Sequence, residues 1–248
     1  MTLKEFKADL HIHTCLSPCA ELDMSPLGVV NTAAERGLDI IAVTDHNSAE
    51  NILAAQRAAK DMDLTVLAGM EIGTSEEAHI LALFNKVETA IALQEIIYAN
   101  MLPQENDEKM YGEQIVANEH DEVLGFNKRL LISGTLLPAQ DIVDTIHSFG
   151  GLAIASHIDK DAFSIISQLG FITEDMGFDA LEMSPHMDRN TAEIEYQMYN
   201  SYTWISSSDA HHAVDIGERT VSFFMQEPTI EEMLLAFQNQ DGRRVEWK

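Results

Sequence analysis

The sequence predicts an α/β fold, a TIM-like barrel of about seven or eight strand–helix units. Short apolar runs alternate with segments of helical periodicity, which favours parallel strands. The chain has 248 residues, which fits one barrel domain spanning residues 1–248. No Gly-rich phosphate loop or dinucleotide fingerprint follows a strand, which disfavours the main alternative, an open doubly wound sheet.

The first half of the chain supplies four predicted strands. They lie at Ala8–His13, Ile40–Asp45, Leu64–Glu71 and Ala78–Phe84, and helices are predicted at Pro26–Arg36, Ala49–Met62 and Val87–Ala99. The first helix is expected to stop at Gly37, because glycine is typical of the residue that follows a helix. The polar excursion near residues 100–130 is open to three interpretations: a lid, a small helical insertion or a long surface connection.

The second half continues the same alternation. Strands are predicted at Leu152–His157, Asp179–Met183, Thr203–Asp209 and Thr220–Met225, and helices at Pro138–Phe149, Asp188–Asn200 and Thr229–Asn239. The strands are short and apolar, which is typical of buried strands. The chain contains no repeat of fixed length and no low-complexity segment.

The charge of the chain limits its partners. It has 15 basic and 41 acidic residues, a formal net charge of −26. Such a field opposes binding to DNA and anionic lipid, which both require clustered Lys and Arg, so a long nucleic acid is not expected as a partner. A small phosphorylated substrate is compatible with this charge, because bound divalent metals can invert the sign inside one pocket.

The sequence also favours a cytoplasmic protein without a membrane partner. No apolar run approaches the roughly 18 residues of a membrane span, and Met1–Leu10 lacks the apolar core of a signal peptide. The two cysteines, Cys15 and Cys19, are too few for a disulfide framework. The oligomeric state is left open.

Histidines and carboxylates recur at the ends of the predicted strands. His11 and His13 are two residues apart, so they project from the same face of the first strand. Later strand ends carry His46, Glu71, His79, His157, Asp209 and His211. Strand ends of a parallel barrel converge on the face that carries the active site. Buried imidazoles and carboxylates are costly there unless they bind a cation, and mixed His, Asp and Glu ligands suit Zn, Mn or Fe.

These residues fall into an ordered set of short motifs. The motifs are Asp9-Leu-His11-Ile-His13-Thr14, Thr44-Asp45-His46, Gly69-Met-Glu71, His79-Ile-Leu81, Ser156-His157 and Ser208-Asp209-Ala-His211. As a set they resemble the PHP (polymerase and histidinol phosphatase) domain from Asp9 to about Arg219. The resemblance implies a distorted (β/α)7 TIM-like barrel of PHP type. It also implies an enzyme, a metal-dependent phosphoric ester hydrolase with two or three divalent ions (Zn, Mn or Fe).

The resemblance further implies which residues bind each ion. The first ion would be bound by His11, His13, Glu71 and Asp209, the second by Glu71 as a bridge with His79 and His157, and a third by His46 and His211. The family usually supplies an aspartate to the third site, but Pro18 stands at that place here. Cys19 or Glu21 could replace this ligand, or the site could be dinuclear.

The expected reaction is hydrolysis of a phosphate monoester of a small molecule, such as histidinol phosphate or a nucleotide. Two adjacent divalent ions can lower the pKa of a bridging water and aim a metal-bound hydroxide at phosphorus. Glu71, Asp209 and His211 are the expected catalytic residues.

Substrate contacts are expected from residues that follow two later strands. Lys160, three residues after His157, and Arg189 are candidates to bind the phosphate oxygens. His186 is a candidate to contact the substrate and to protonate the leaving group.

Other functions stay open on the sequence. One is a phosphodiesterase or exonuclease that acts on short oligonucleotides, and another is a catalytically degenerate, metal-binding regulatory module. A metal-dependent amidohydrolase also begins with a His-x-His strand. Such barrels typically use a carboxylated lysine near mid-barrel, and no strand-end lysine occurs here.

Overall fold

The computed structural model describes residues 2–247. Its strands, in chain order, are β1 (Lys4–Ile12), β2 (Ile40–Val43), β3 (Thr65–Gly73), β4 (His79–Phe84), β5 (Ile115–Ala117), β6 (Val123–Phe126), β7 (Leu152–Ala155), β8 (Ala180–Met183), β9 (Trp204–Ser206), β10 (Val221–Met225) and β11 (Arg244–Trp247). Nine of them form one sheet in the order β11-β10-β1-β2-β3-β4-β7-β8-β9, and β5 pairs with β6. The sheet is barrel-shaped and nearly closed, so the predicted α/β TIM-like barrel is confirmed.

Within residues 2–247, eight α-helices accompany the strands. They are α1 (Pro26–Glu35), α2 (Ile52–Ala58), α3 (Val87–Asn100), α4 (Glu108–Tyr111), α5 (Ala139–Ser148), α6 (Ile165–Leu169), α7 (Arg189–Glu195) and α8 (Ile230–Phe237), with short 3-10 helices at Glu174–Met176, Gln197–Tyr199 and Gln240–Gly242. The helix predicted over Asp188–Asn200 is thus divided into α7 and a 3-10 turn. The start of α1 follows from its sequence, because Pro26 is the first helical residue and the Ser25 hydroxyl accepts a hydrogen bond from Gly28 N.

The prediction of parallel strands needs correction at β4. This strand is antiparallel to both β3 and β7. The physical reason is the connection 74–78, which is far shorter than the crossover of a dozen residues that parallel strands require. The reversal brings His79, at the start of β4, opposite Gly73 at the end of β3. β10 is also antiparallel to β1, and β11, which the sequence pattern missed, pairs with β10.

The polar excursion is an ordered insertion rather than a bare connection. It contains α4 and the β5–β6 hairpin. The Asn51 side chain donates to the carbonyl of Ile115 and accepts from Ala117 N, which ties the hairpin to α2. The Asn47 side chain donates to the carbonyls of Leu131 and Ser133. These amides hold the insertion against the loop that follows β2.

None of the helices within residues 2–247 is both long enough and apolar enough to cross a bilayer. The cytoplasmic location and the single domain over residues 1–248 stay predictions.

Candidate metal centre

All eight predicted metal ligands lie around the same end of the barrel. His11, on β1, and His13, directly after it, are fully buried. His46 is bridged to Glu71 on β3, and His79 begins β4. His157, Asp209 and His211 come from the loops after β7 and β9. The backbone of His157 and of Asp209 has positive φ, 29° and 51°, a conformation that is uncommon outside glycine and recurs at functional sites.

The Glu71 carboxylate is the centre of the cluster. Oε1 lies 3.4 Å from His11 Nε2, 2.9 Å from His79 Nδ1 and 3.2 Å from His157 Nε2. Oε2 lies 3.4 Å from His13 Nε2 and 3.1 Å from His46 Nδ1. Both oxygens face imidazole nitrogens from different segments of the barrel, which is the arrangement expected of a bridging ligand.

Asp209 is the second carboxylate of the cluster. Its Oδ1 lies 3.3 Å from His11 Nε2 and 3.5 Å from His13 Nε2, and its Oδ2 accepts a hydrogen bond from Lys160 Nζ. His211 Nδ1 is 2.7 Å from the backbone carbonyl of Asp209, so Nε2 is the ring nitrogen left for metal binding. Asp209 therefore joins the histidines of β1 to Lys160.

Electrostatics in the cluster follow from burial and from the mixture of charges. Burial alone would raise the pKa of Glu71, but the neighbouring histidines, His79 first, hold it well below its ordinary value. Burial alone would lower the pKa of His13, but hydrogen bonds to Asp209 and Glu71 raise it to about 9. Burial lowers the pKa of His211 to about 4, so this imidazole is neutral at neutral pH.

The donor set fits divalent metal ions. In the part of the chain that the structure describes, three overlapping groups have ligand atoms within 4.8 Å of one another: His11/His13/Glu71, His46/Glu71/His79 and His13/Cys19/His46/His211. Nitrogen and carboxylate donors in such groups suit Zn, Mn or Fe. A carboxylate buried among five imidazoles also supplies negative charge to balance a bound cation. The identity and number of the ions stay predictions.

The third group bears on the ligand that replaces the usual aspartate. Cys19 lies in this group with three imidazoles, so its thiol is placed to act as the missing ligand. Glu21, the other candidate, instead pairs with His212 at the surface, at 3.1 Å between Oε1 and Nδ1. A third ion bound through Cys19 stays a prediction.

Glu182 contacts the cluster, and the sequence pattern did not reveal it. It is buried in β8, and its Oε2 lies 2.9 Å from His11 Nδ1 and accepts from His157 N at 3.3 Å. A carboxylate on the far nitrogen of a ligating imidazole fixes the tautomer and the ring orientation. Its signal in the sequence is a single acidic residue inside an apolar strand, Ala180–Met183.

A second set of polar contacts holds the first motif. Asp45 accepts hydrogen bonds from Thr14 N and from the Ser17 hydroxyl, both at 2.7 Å. The same Ser17 Oγ lies 3.0 Å from His13 Nδ1 and accepts from His46 N. Asp45 thus orients both histidines through Ser17.

Asp9 has a different set of partners. It accepts hydrogen bonds from backbone N–H groups in the loop after β9 and in a later turn. Burial raises the pKa of Asp9 to about 6.

The three predicted substrate-binding residues lie in different places. Lys160 lines the cavity over the cluster, whose volume is about 450 Å³. Arg189 does not reach this cavity, because its guanidinium pairs with Glu193 and donates to the carbonyl of Trp247. His186 is exposed on the loop after β8 and is not among the lining residues. Of the predicted phosphate contacts, the structure brings only Lys160 to the cluster.

Comparison with known proteins agrees with this geometry. The profile of the PHP domain family matches residues 9–160. An uncharacterized protein of Methanocaldococcus jannaschii, MJ1587, is 30% identical over 112 residues, which are 42% of this chain and 60% of that protein. A 5'-3' exoribonuclease of Haemophilus influenzae is 23% identical over 191 residues, 61% of this chain and 68% of the enzyme.

Solved structures share the fold over nearly the whole chain. The lesion-specific endonuclease Q of Pyrococcus furiosus superposes with a TM-score of 0.75 at 18% identity, covering 98% of this chain and 58% of that one. Endonuclease Q in complex with a 27-mer duplex, with an abasic lesion at its active site, gives 0.73 at 17% identity, with 97% and 58% coverage. The chain thus spans about 60% of the length of MJ1587 and of endonuclease Q.

The expectation that a long nucleic acid would not be a partner is wrong. Endonuclease Q has this fold and forms a complex with a 27-mer duplex whose abasic lesion lies at the active site. The net charge of −26 does not act as a uniform field around the molecule. The potential at a binding face depends on the groups near it, including any bound ions, and charges beyond a Debye length of about 8 Å are largely screened.

Proposed function

Since this chain belongs to the PHP domain family of metal-dependent phosphoesterases, we propose that it hydrolyses phosphodiester bonds in nucleic acid. The similarity to an exoribonuclease in sequence and to endonuclease Q in fold supports this substrate class. A phosphodiester in nucleic acid differs from the substrate expected from the sequence, a small phosphate monoester.

The composition of the cavity wall carries the proposal. Within residues 2–247, Lys160 is the single Lys or Arg that lines the cavity, and it is paired with Asp209. A phosphomonoester carries close to two negative charges at neutral pH, because its second pKa is about 6, whereas a phosphodiester carries one. One cation beside the metal ligands therefore suits a diester better. Ile132 and Phe163, on the same wall, suit the organic groups that flank a diester phosphate.

The residues of the site would have different roles in this reaction. Divalent ions, when bound, would polarise the phosphoryl group and activate water. Glu71 and Asp209 would hold them, together with the histidines. Lys160 would loosen its ion pair with Asp209, and its ammonium group would bind a non-bridging phosphate oxygen as a point charge. The apolar wall would exclude bulk water and strengthen these electrostatic interactions.

The first prediction concerns metal removal. Protein treated with a chelator and then dialysed is expected to lose cleavage of end-labelled oligonucleotides and to recover it with Mn or Zn, because the divalent ions would polarise the phosphoryl group and activate water. Single strands, a duplex and a duplex with an abasic lesion should be tested beside a panel of phosphomonoesters, with elemental analysis of the protein. Hydrolysis of monoesters alone, with every oligonucleotide intact, would refute the nuclease proposal.

The second prediction concerns Lys160. Lys160→Met is expected to lower kcat/KM by about 10- to 100-fold, the usual contribution of a hydrogen bond to a charged group. Bound metal should be unchanged, because the lysine is not a ligand. Lys128→Met, which removes an exposed lysine of the insertion, is the matched control. Equal rates for both variants and the wild type would exclude Lys160 from substrate binding.

A further inference from the structure

The wall of the metal-site cavity carries an exposed aromatic side chain. Phe163 lines this cavity with the ligands, and 47% of its surface is exposed. We propose that Phe163 is a stacking platform for one nucleobase of the substrate, with Ile132 as the second apolar contact. The inference rests on the proposed function, because it names the group that lies next to the phosphate being cleaved.

The Phe163 ring is fixed relative to the metal ligands. It stacks on the imidazole of His79 with 4.7 Å between ring centroids and 12° between planes. The backbone carbonyl of Phe163 accepts a hydrogen bond from His79 N at 2.8 Å. Two independent contacts to the same ligand thus hold the ring near the reacting centre, so little conformational entropy is lost when a planar group stacks on it.

The backbone of Phe163 indicates that this placement has a cost. Its φ is 61°, in the left-handed region, which is a genuine outlier for a bulky residue. Such strain persists where surrounding contacts determine it and is concentrated at active sites and ligand clamps. The strain here turns a large apolar side chain toward the cavity and leaves much of it exposed.

Ile132 reaches the cavity from the segment that follows the insertion. It is 36% exposed, and the carbonyls of its neighbours Leu131 and Ser133 both accept hydrogen bonds from the Asn47 side chain. Asn47 directly follows the predicted ligand His46. The loop that contains the predicted ligand His46 therefore positions Ile132. Contacts with the predicted ligand His79 position Phe163.

A nucleobase is the occupant that fits these features. Every base has a π-face, and stacking of a base on an aromatic side chain needs no particular sequence. Lys160, three residues before Phe163, lines the same cavity and supplies the contact for the adjoining phosphate. An aromatic ring beside a cation is the combination typical of single-stranded nucleic-acid binding.

The test uses a pair of single-stranded oligonucleotides. One carries the fluorescent base 2-aminopurine at the nucleotide next to the cleaved phosphate, and the other has an abasic residue there. Phe163→Leu is expected to weaken binding and raise KM by about 5- to 150-fold for the base-containing strand, with little change for the abasic strand. Phe163→Trp should retain binding. Phe171→Leu, an exposed phenylalanine outside the cavity, is the matched control.

The readouts separate the two proposals. Quenching of 2-aminopurine fluorescence on the metal-loaded wild type reports stacking and does not require cleavage. A protein that quenches this fluorescence but cleaves nothing would therefore refute nuclease activity and leave the stacking platform standing. Cleavage without quenching, or an equal loss on both strands for Phe163→Leu, would overturn the stacking platform. An equal loss accompanied by lower metal content would mean that Phe163 only supports His79.

Discussion

Glu71→Gln is expected to lower the rate of phosphoester hydrolysis by about 10³-fold or more, since a metal centre supplies several kcal/mol of transition-state stabilisation. The carboxylate faces five imidazole nitrogens from 2.9 to 3.4 Å. An amide has nearly the same shape but presents one oxygen and no charge. It can neither bridge two cations nor offset their charge, so bound metal should fall as well.

The measurement combines elemental analysis with oligonucleotide cleavage at equal protein concentration. Glu95→Gln, which neutralises an exposed carboxylate on α3, has the same change in net charge and is the control. Circular dichroism should show both variants folded. Full metal content and wild-type turnover in Glu71→Gln would contradict the central position of this residue.

Glu182→Ala is expected to weaken metal binding by about 10- to 100-fold, the usual effect of removing a carboxylate that orients a ligating histidine. Its Oε2 is shared by His11 Nδ1 and His157 N. Truncation leaves both groups unpaired in a buried site, which should also lower the free energy of unfolding by about 1–3 kcal/mol.

Glu182→Gln is the matched variant, because its amide oxygen can still accept a hydrogen bond from His11. Metal affinity, measured by competition with a chelator, should therefore decrease in the order wild type, Glu182→Gln, Glu182→Ala. Unfolding in denaturant gives the second readout. If both variants lose stability but bind metal like the wild type, Glu182 is structural and does not position the ligands.

The sequence was sufficient to predict the members of the cluster, for a physical reason. Strand ends converge in a barrel, so polar residues that terminate apolar strands must meet at one mouth. His79 fits this rule although it begins its strand, because β4 runs in the opposite direction. The short connection 74–78 carried that information, and counting its residues would have predicted the hairpin.

Other features depend on contacts that spacing does not encode. Glu182 lies within β8 rather than at its end, and only the packing of β8 behind His11 gives it a role. Arg189 follows β8, where a phosphate contact was expected. It instead donates to the carbonyl of Trp247, because β11 lies next to it. The net charge gave the wrong expectation about a long nucleic acid as a partner, since summing over the chain discards the location of each charge.

Arg189 matters instead at the seam of the barrel. In the described part of the chain, no backbone ladder joins β9 to β11, the two outer strands of the sheet. Arg189 donates to the carbonyl of Trp247 on β11, and Arg219 lies over the Trp247 ring, 6.0 Å from its centroid. Two guanidinium groups thus occupy an edge that would otherwise offer free backbone groups to another chain. Charged side chains at such an edge oppose edge-to-edge pairing with another chain.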